Sequence, residues 1–199
     1  MTEQHDDQHQ KRQQKLKQAV DARIENAQID KRILLVITGN GKGKTTAGFG
    51  TILRALGHGQ SCGVAQFIKG TWDNPEKEIL SKLGVPFYVM ATGFTWETQN
   101  KETDRAAAQA VWQSCLSMLQ DPSIDLILFD ELTYMITYGY IDLDEVITAL
   151  ENRPAHQSVI ITGRAAHRRL TELADTVSEV RPVKHAFDQG IQARLGVDY

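Results

Sequence analysis

An apolar stretch, Ile33-Leu34-Leu35-Val36-Ile37, runs almost directly into Gly39-Asn40-Gly41-Lys42-Gly43-Lys44-Thr45-Thr46, and a segment with helical patterning follows. Few arrangements satisfy that order. A buried strand must end, the chain must turn through a glycine-rich loop, and a helix must begin with its N-terminus at that loop. Glycines without Cβ let successive N–H groups turn inward into an anion-binding nest, and the helix dipole adds to it. The run reads as a phosphate cradle, with Lys44 a point charge for phosphate oxygens and the Thr45 hydroxyl facing Mg²⁺. It departs from the usual spacing in one respect. The position that normally holds the first glycine is Thr38; Gly39 comes one residue late, and Gly41 and Lys42 sit inside the loop. A glycine-rich turn with coincidental lysines is the alternative, and the strand before and helix after argue against it.

Downstream, apolar runs and helical patterns alternate. The patterning predicts strands over residues 33–38, 62–68, 86–90, 124–129, 158–162 and 176–180. Helices are predicted over 43–56, 75–83, 102–119, 143–150 and 168–173. Strands that are apolar throughout and separated by helices imply an α/β fold, a parallel sheet covered by helices on both faces. Ligands in such sheets bind at the C-terminal strand ends. With 199 residues the chain can bury one sizeable core. Residues 1–32 stand apart as a second region, with seven glutamines, thirteen charged residues and no aromatic. Within them Leu16, Val20, Ile24 and Ala27 recur at helical spacing, so the segment reads either as a solvated, partly disordered tail or as a conditional helix that closes over a site as a lid. Residues 33–199 form the nucleotide-binding domain.

Composition narrows the function classes. A net charge of −3 argues against broad electrostatic binding to nucleic acid. No stretch reaches the length of a membrane span, the polar N-terminus is not a secretory signal, and the cytoplasm is the expected compartment. Cys62 and Cys115 have neither a disulfide framework nor metal-ligand spacing and read as small buried apolar residues.

A second nucleotide signal is Leu126-Ile127-Leu128-Phe129-Asp130-Glu131, a buried strand whose carboxylates emerge at its C-terminal tip, as in a Walker B element. Asp130 and Glu131 can hold Mg²⁺ directly or through water, opposite Thr45; an acidic cap on a following helical turn is the bland alternative. Arg164 follows the strand Val159-Ile160-Ile161-Thr162 and suits bidentate phosphate contact, whereas Arg54 reads as structural. Phe94 and Trp96 lie in a polar loop, Ala91 to Gln99, where they either anchor the loop to the core or meet a flat apolar ligand. Tyr134, Met135, Tyr138 and Tyr140 invite the same two readings, and a subunit interface as a third. His167 and His185 are isolated in sequence, and neither is assigned a base role.

Taken together, Thr38 to Thr46, Gln66-Phe67-Ile68-Lys69-Gly70, Ala91 to Trp96, Asp130-Glu131-Leu132-Thr133-Tyr134, Thr162-Gly163-Arg164 and the closing Arg181-Pro182-Val183-Lys184-His185-Ala186-Phe187-Asp188 resemble the ATP:corrinoid adenosyltransferases of the CobA/BtuR (CobO) type. The resemblance runs nearly end to end. It implies a RecA-like P-loop fold and transfer of the 5′-deoxyadenosyl group of ATP to the cobalt(I) of cob(I)alamin or cob(I)yrinic acid a,c-diamide, with triphosphate as leaving group. On this chain it implies that Gly39, Asn40, Gly41, Lys42, Gly43, Lys44, Thr45, Thr46 and Arg164 bind ATP. Lys44, Thr45 and Glu131 would carry the chemistry. Mg²⁺, or Mn²⁺ in its place, would be held by Thr45 and Glu131, with Asp130 a weaker candidate. Phe94 and Trp96 would pack on the corrin and displace its lower axial base. The N-terminal segment would cover the site. A homodimer and a flavodoxin-like electron donor are implied by the resemblance alone. A P-loop ATPase and a nucleotide-sensing module are the competing classes.

Overall fold

The computed structural model describes residues 2–68, 74–90 and 101–198. It divides into two compact units, Met1–Lys31 and Arg32–Tyr199. The first is one helix, α1 (Thr2–Asn26), on which Leu16, Val20 and Ile24 are exposed.

In the second unit, strands and helices alternate as β1 (Leu34–Thr38), α2 (Lys44–Gly57), β2 (Cys62–Gln66), α3 (Pro75–Lys82), β3 (Phe87–Val89), α4 (Lys101–Gln120), β4 (Leu126–Asp130), α5 (Leu132–Thr137), α6 (Leu143–Glu151), β5 (Ser158–Thr162), α7 (Arg168–Leu173) and β6 (Thr176–Glu179). The six strands form one sheet in the order β3-β2-β4-β5-β1-β6, and every pairing is parallel. The α/β architecture expected from the alternation is therefore present. α5 was not expected. Its six residues include β-branched and aromatic side chains of poor helix propensity, and tertiary packing of Leu132 and Met135, both fully buried, overrides that preference.

Alternation along the strands sorts side chains to two cores. On one face, Ile127 and Phe129 of β4 and Val159 and Ile161 of β5 meet Ala108, Val111, Trp112, Cys115, Met118 and Leu119 of α4. Those six recur at intervals of three and four, the stripe of an amphipathic helix. On the other face, Leu126, Leu128 and Ile160 pack with Phe49, Ile52 and Ala55 of α2. Truncating a fully buried leucine such as Leu128 to alanine would cost ~2–5 kcal/mol. A sheet filled on both faces leaves its strand ends for chemistry, and the phosphate loop, the acidic pair and Arg164 all follow C-terminal strand ends on the same side.

Candidate active site at the C-terminal strand ends

The displaced glycine has a structural reason. Thr38 is still a strand residue, paired with Glu179 of β6, and its hydroxyl accepts a hydrogen bond from the Ala166 N–H at 3.3 Å. The turn begins only at Gly39, whose φ of +100° lies in the left-handed region. A Cβ there would stand 2.4 Å from the Val180 carbonyl oxygen, because the chain leaving β6 crosses directly against the loop. The Gly41 N–H donates to that same carbonyl at 2.7 Å. The loop is thus shaped by the segment after β6 as well as by its own sequence.

Gly43 caps α2 at φ +115°, and the helix has no acidic residue in its first turn. Its leading N–H groups therefore face the cleft with the positive end of the dipole uncompensated by a carboxylate. Lys44 is 6% exposed and donates from Nζ to the Gly41 carbonyl at 2.8 Å. Burial lowers its pKa, while Glu131 and Asp130 act in the opposite sense and Arg164 adds to the lowering. Lys42 pairs instead with Asp198 at 2.7 Å.

Across the cleft, Asp130 is the last residue of β4 and only 1% exposed. Both carboxylate oxygens are engaged. Thr162 Oγ1 donates to Oδ1 at 2.6 Å, and Gln66 Nε2 donates to Oδ2 at 3.0 Å. Gln66 Oε1 in turn accepts from Asn74 Nδ2 at 2.8 Å, and Asn74 Oδ1 caps α3 through the Lys77 N–H. Glu131 differs. Its backbone is left-handed, at φ 60° and ψ 23°, and its Oε2 is buried with no hydrogen-bond partner. Burial and then the neighbouring Asp130 raise its pKa to about 7, against the pull of Lys44 and Arg164.

Gly163 and Arg164 complete the wall. Gly163 has φ +139°, and a Cβ would lie 2.0 Å from Thr133 Oγ1. That hydroxyl donates to the Arg164 carbonyl at 2.7 Å. A cleft of about 680 Å³ is lined by residues 40–46 of the loop, Gln66, Asp130, Glu131, Tyr134, Arg164, His185 and Asp198, among others. Every described residue that the sequence marked for phosphate or metal therefore lines this cleft, except Gly39, which supports the loop from behind. Phe94 and Trp96 lie outside the described residues.

Other expectations resolve simply. Arg54 lines a separate groove of about 190 Å³ with residues from the start of β1 and β5, away from the loop. His167 caps α7, its Nδ1 accepting from the Arg169 N–H at 3.2 Å. Cys62 and Cys115 are buried free thiols. The three tyrosines stand ring to ring, Tyr134 and Tyr140 each 5.7 Å from Tyr138, and Met135 is core. Sequence reasoning gave no part to Asn74 and no separate role to Gln66 or Thr162. The available signal was a polar residue ending an otherwise apolar strand, in β2 and β5 as in β4.

The donor set fits a hard divalent cation, since it offers hydroxyl and carboxylate oxygens and one carboxylate oxygen without a partner. Among the described residues no group of three or more His, Cys, Asp or Glu side chains stands together. Phosphate oxygens and water would have to supply most of the coordination, as Mg²⁺ prefers.

Comparisons with known proteins agree with this geometry. Residues 30–199 match the family described as ATP:corrinoid adenosyltransferase BtuR/CobO/CobP, and residues 1–24 match the one described as Cob(I)alamin adenosyltransferase N terminal. The chain is 61% identical to the corrinoid adenosyltransferase CobA of Salmonella typhimurium, across 98% of this chain and 99% of that one. Identity to the corrinoid adenosyltransferase of Escherichia coli K12 is 60% over the same shares. Among solved structures, the flagellar accessory protein FlaH of Methanocaldococcus jannaschii superposes with a TM-score of 0.52 at 14% identity, over 76% of this chain and 72% of that one, a likeness of fold. The chain belongs to the BtuR/CobO/CobP family of ATP:corrinoid adenosyltransferases.

Proposed function

We propose that this chain transfers the 5′-deoxyadenosyl group of ATP to the cobalt of a reduced corrinoid and releases inorganic triphosphate. The observation that carries the reading is the whole-length match to corrinoid adenosyltransferases at 61% identity, with the described residues marked for phosphate and metal, Gly39 apart, lining one cleft. In the reaction, the electron pair on cobalt(I) forms the bond to C5′ of the ribose. The C5′–O5′ bond breaks, and its pair leaves with the triphosphate. Cobalt(I) is itself a strong nucleophile, so the protein has no proton to abstract. Its work is to align C5′ with cobalt and to stabilise charge on the departing phosphates.

For that purpose the loop N–H groups that line the cleft, other than that of Gly41, which is held by the Val180 carbonyl, would face the leaving group together with the Lys44 ammonium and the Arg164 guanidinium. Thr45 and Glu131 are the proposed Mg²⁺ contacts, and the ion would neutralise phosphate charge. Asp130 is the weaker metal candidate, since its oxygens already accept from Thr162 and Gln66. Phe94 and Trp96 are proposed to pack on the corrin and displace its lower axial ligand, and α1 to cover the site, both from the resemblance. A homodimer, a flavodoxin-like electron donor and a cytoplasmic site of action belong to the same reading. Among the described residues no helix is long and apolar enough to cross a membrane.

The test is anaerobic incubation with ATP, Mg²⁺ and chemically reduced cobalamin. A light-sensitive alkylcobalt spectrum with one triphosphate released per cobalt is the expected result. Phosphate release without any cobalt–carbon product would overturn the reading in favour of an ATPase. A narrower test addresses Trp96→Ala, which should impair turnover when cobalt(II) must be reduced on the protein and spare it when cobalt(I) is supplied. Equal losses in the two assays would remove the axial-ligand role.

A further inference from the structure

Glu131 holds an improbable backbone. A non-glycine residue in the left-handed region is strained and persists only where its surroundings impose it. One of the contacts that hold it is a buried hydroxyl. The Glu131 N–H donates to Thr162 Oγ1 at 3.0 Å. An N–H can only donate, so that hydroxyl oxygen is an acceptor, and its single proton is free to go to Asp130 Oδ1 at 2.6 Å. Thr162 is fully buried and Asp130 nearly so, which removes water as a competing partner.

Asp130 is held in its turn. Gln66 and Asp130 are register partners in β2 and β4, while β4 and β5 run in register up to Phe129 and Ile161, one residue short of Asp130 and Thr162. Gln66, Asp130 and Thr162 thus lie abreast across three adjacent strands, tied by two side-chain hydrogen bonds. The row ends at Asn74 on one side and at the Glu131 backbone on the other.

We propose that Thr162 is a positioning residue for the reaction. Its hydroxyl, oriented by Asp130, fixes the Glu131 backbone so that the unpaired Glu131 carboxylate is presented to a divalent cation at the phosphate loop. On this view Asp130 acts on the cation through Thr162 and Glu131. The inference rests on the proposal that Glu131 is a metal contact, and it adds a residue with no ligand contact of its own.

The experiment measures Mn²⁺ binding in the presence of ATP by the loss of the free Mn²⁺ electron paramagnetic resonance signal, alongside the Mg²⁺ dependence of turnover with pre-reduced cobalamin. The variants are Thr162→Val, Thr162→Ser and Glu131→Gln. Valine keeps the shape and removes the hydroxyl, so Mn²⁺ affinity should fall about tenfold or more, the usual scale for groups that orient a ligand. The half-saturating Mg²⁺ concentration should rise in step, with a smaller change in turnover at saturating Mg²⁺. Serine restores the hydroxyl and should return affinity to within a few-fold of wild type. If Glu131→Gln loses Mn²⁺ affinity while a cooperatively melting Thr162→Val keeps it, the positioning role is wrong and the metal contact stands. If Glu131→Gln keeps full Mn²⁺ affinity, the metal contact is wrong and takes this inference with it. Should the valine variant fail to melt cooperatively, Thr162→Ala is read in its place by the same criteria.

Discussion

The phosphate loop and the acidic tip of β4 face each other across one cleft, yet they are held in opposite ways. The loop is an affair of backbone, with left-handed glycines at Gly39 and Gly43, a helix N-terminus, and a lysine folded back onto the Gly41 carbonyl. The tip is an affair of side chains drawn from three strands, where Gln66, Asp130 and Thr162 interlock and force Glu131 into shape. A site held by backbone contacts, even one with the distant Val180 carbonyl, tolerates side-chain change elsewhere; a site built from an interlocked row of side chains transmits it. The loop should therefore fail through the groups that meet phosphate, and the tip through groups that bond one another across the strands.

The largest effect expected is on the loop side. Lys44→Ala should lower turnover with pre-reduced cobalt by ~10²–10³, the scale for removing one charge-stabilising donor. Unaltered turnover in that assay would take Lys44 out of leaving-group stabilisation. On the tip side, Gly163→Ala should lower stability by about 3 kcal/mol or more, because a positive φ is combined with a Cβ 2.0 Å from Thr133 Oγ1. Gly59→Ala is the control, with φ +75° and nothing within 4 Å of the new carbon. It should cost only ~1–2 kcal/mol. Equal shifts in melting temperature would show that the segments following β4 and β5 are not packed as closely as the Gly163–Thr133 approach implies.

A smaller effect concerns pH. In the metal-free protein Glu131 keeps its proton up to about 7, whereas the unfolded chain releases it near 4.5. The folded state therefore binds more protons in that window, and this group's contribution to stability, full below 4.5, is lost as pH rises through about 7. Urea midpoints at pH 5 and 8 should diverge less in Glu131→Gln than in wild type. A divergence of wild-type size would assign the pH dependence elsewhere. The smallest effect sharpens the contrast by standing outside both regions. Burial pushes the Cys62 thiol up to about 11 and the Cys115 thiol well above its usual value. Native protein should resist alkylation at pH 8, and replacing either cysteine by alanine should leave turnover with cobalt(I) unchanged.

The same contrast explains what could be read from the chain. Strands announced themselves because β4 and β5 are apolar on both faces, and the loop because its glycines, lysines and helix start are contiguous. α5 escaped notice because Thr133, Tyr134 and Thr137 disfavour helix, and only the burial of Leu132 and Met135 compels it. The Thr162 clamp was illegible for a different reason. Residues 66, 130 and 162 become neighbours only through the strand order β2-β4-β5, which no local pattern encodes. Gly39 was visible as an anomaly, and its cause, the Val180 carbonyl, lies far along the chain.

That last contact has a consequence for how the molecule is made. β1 lies between β5 and β6, and Gly41 depends on Val180 for its acceptor. During synthesis, residues 34–46 leave the ribosome early but must wait for nearly the whole of the remaining domain before either neighbouring strand exists. The nucleotide cradle, encoded near the start, is among the last parts to take its final form. A nascent chain stopped after β5 would have most of its sheet and no finished place for a phosphate.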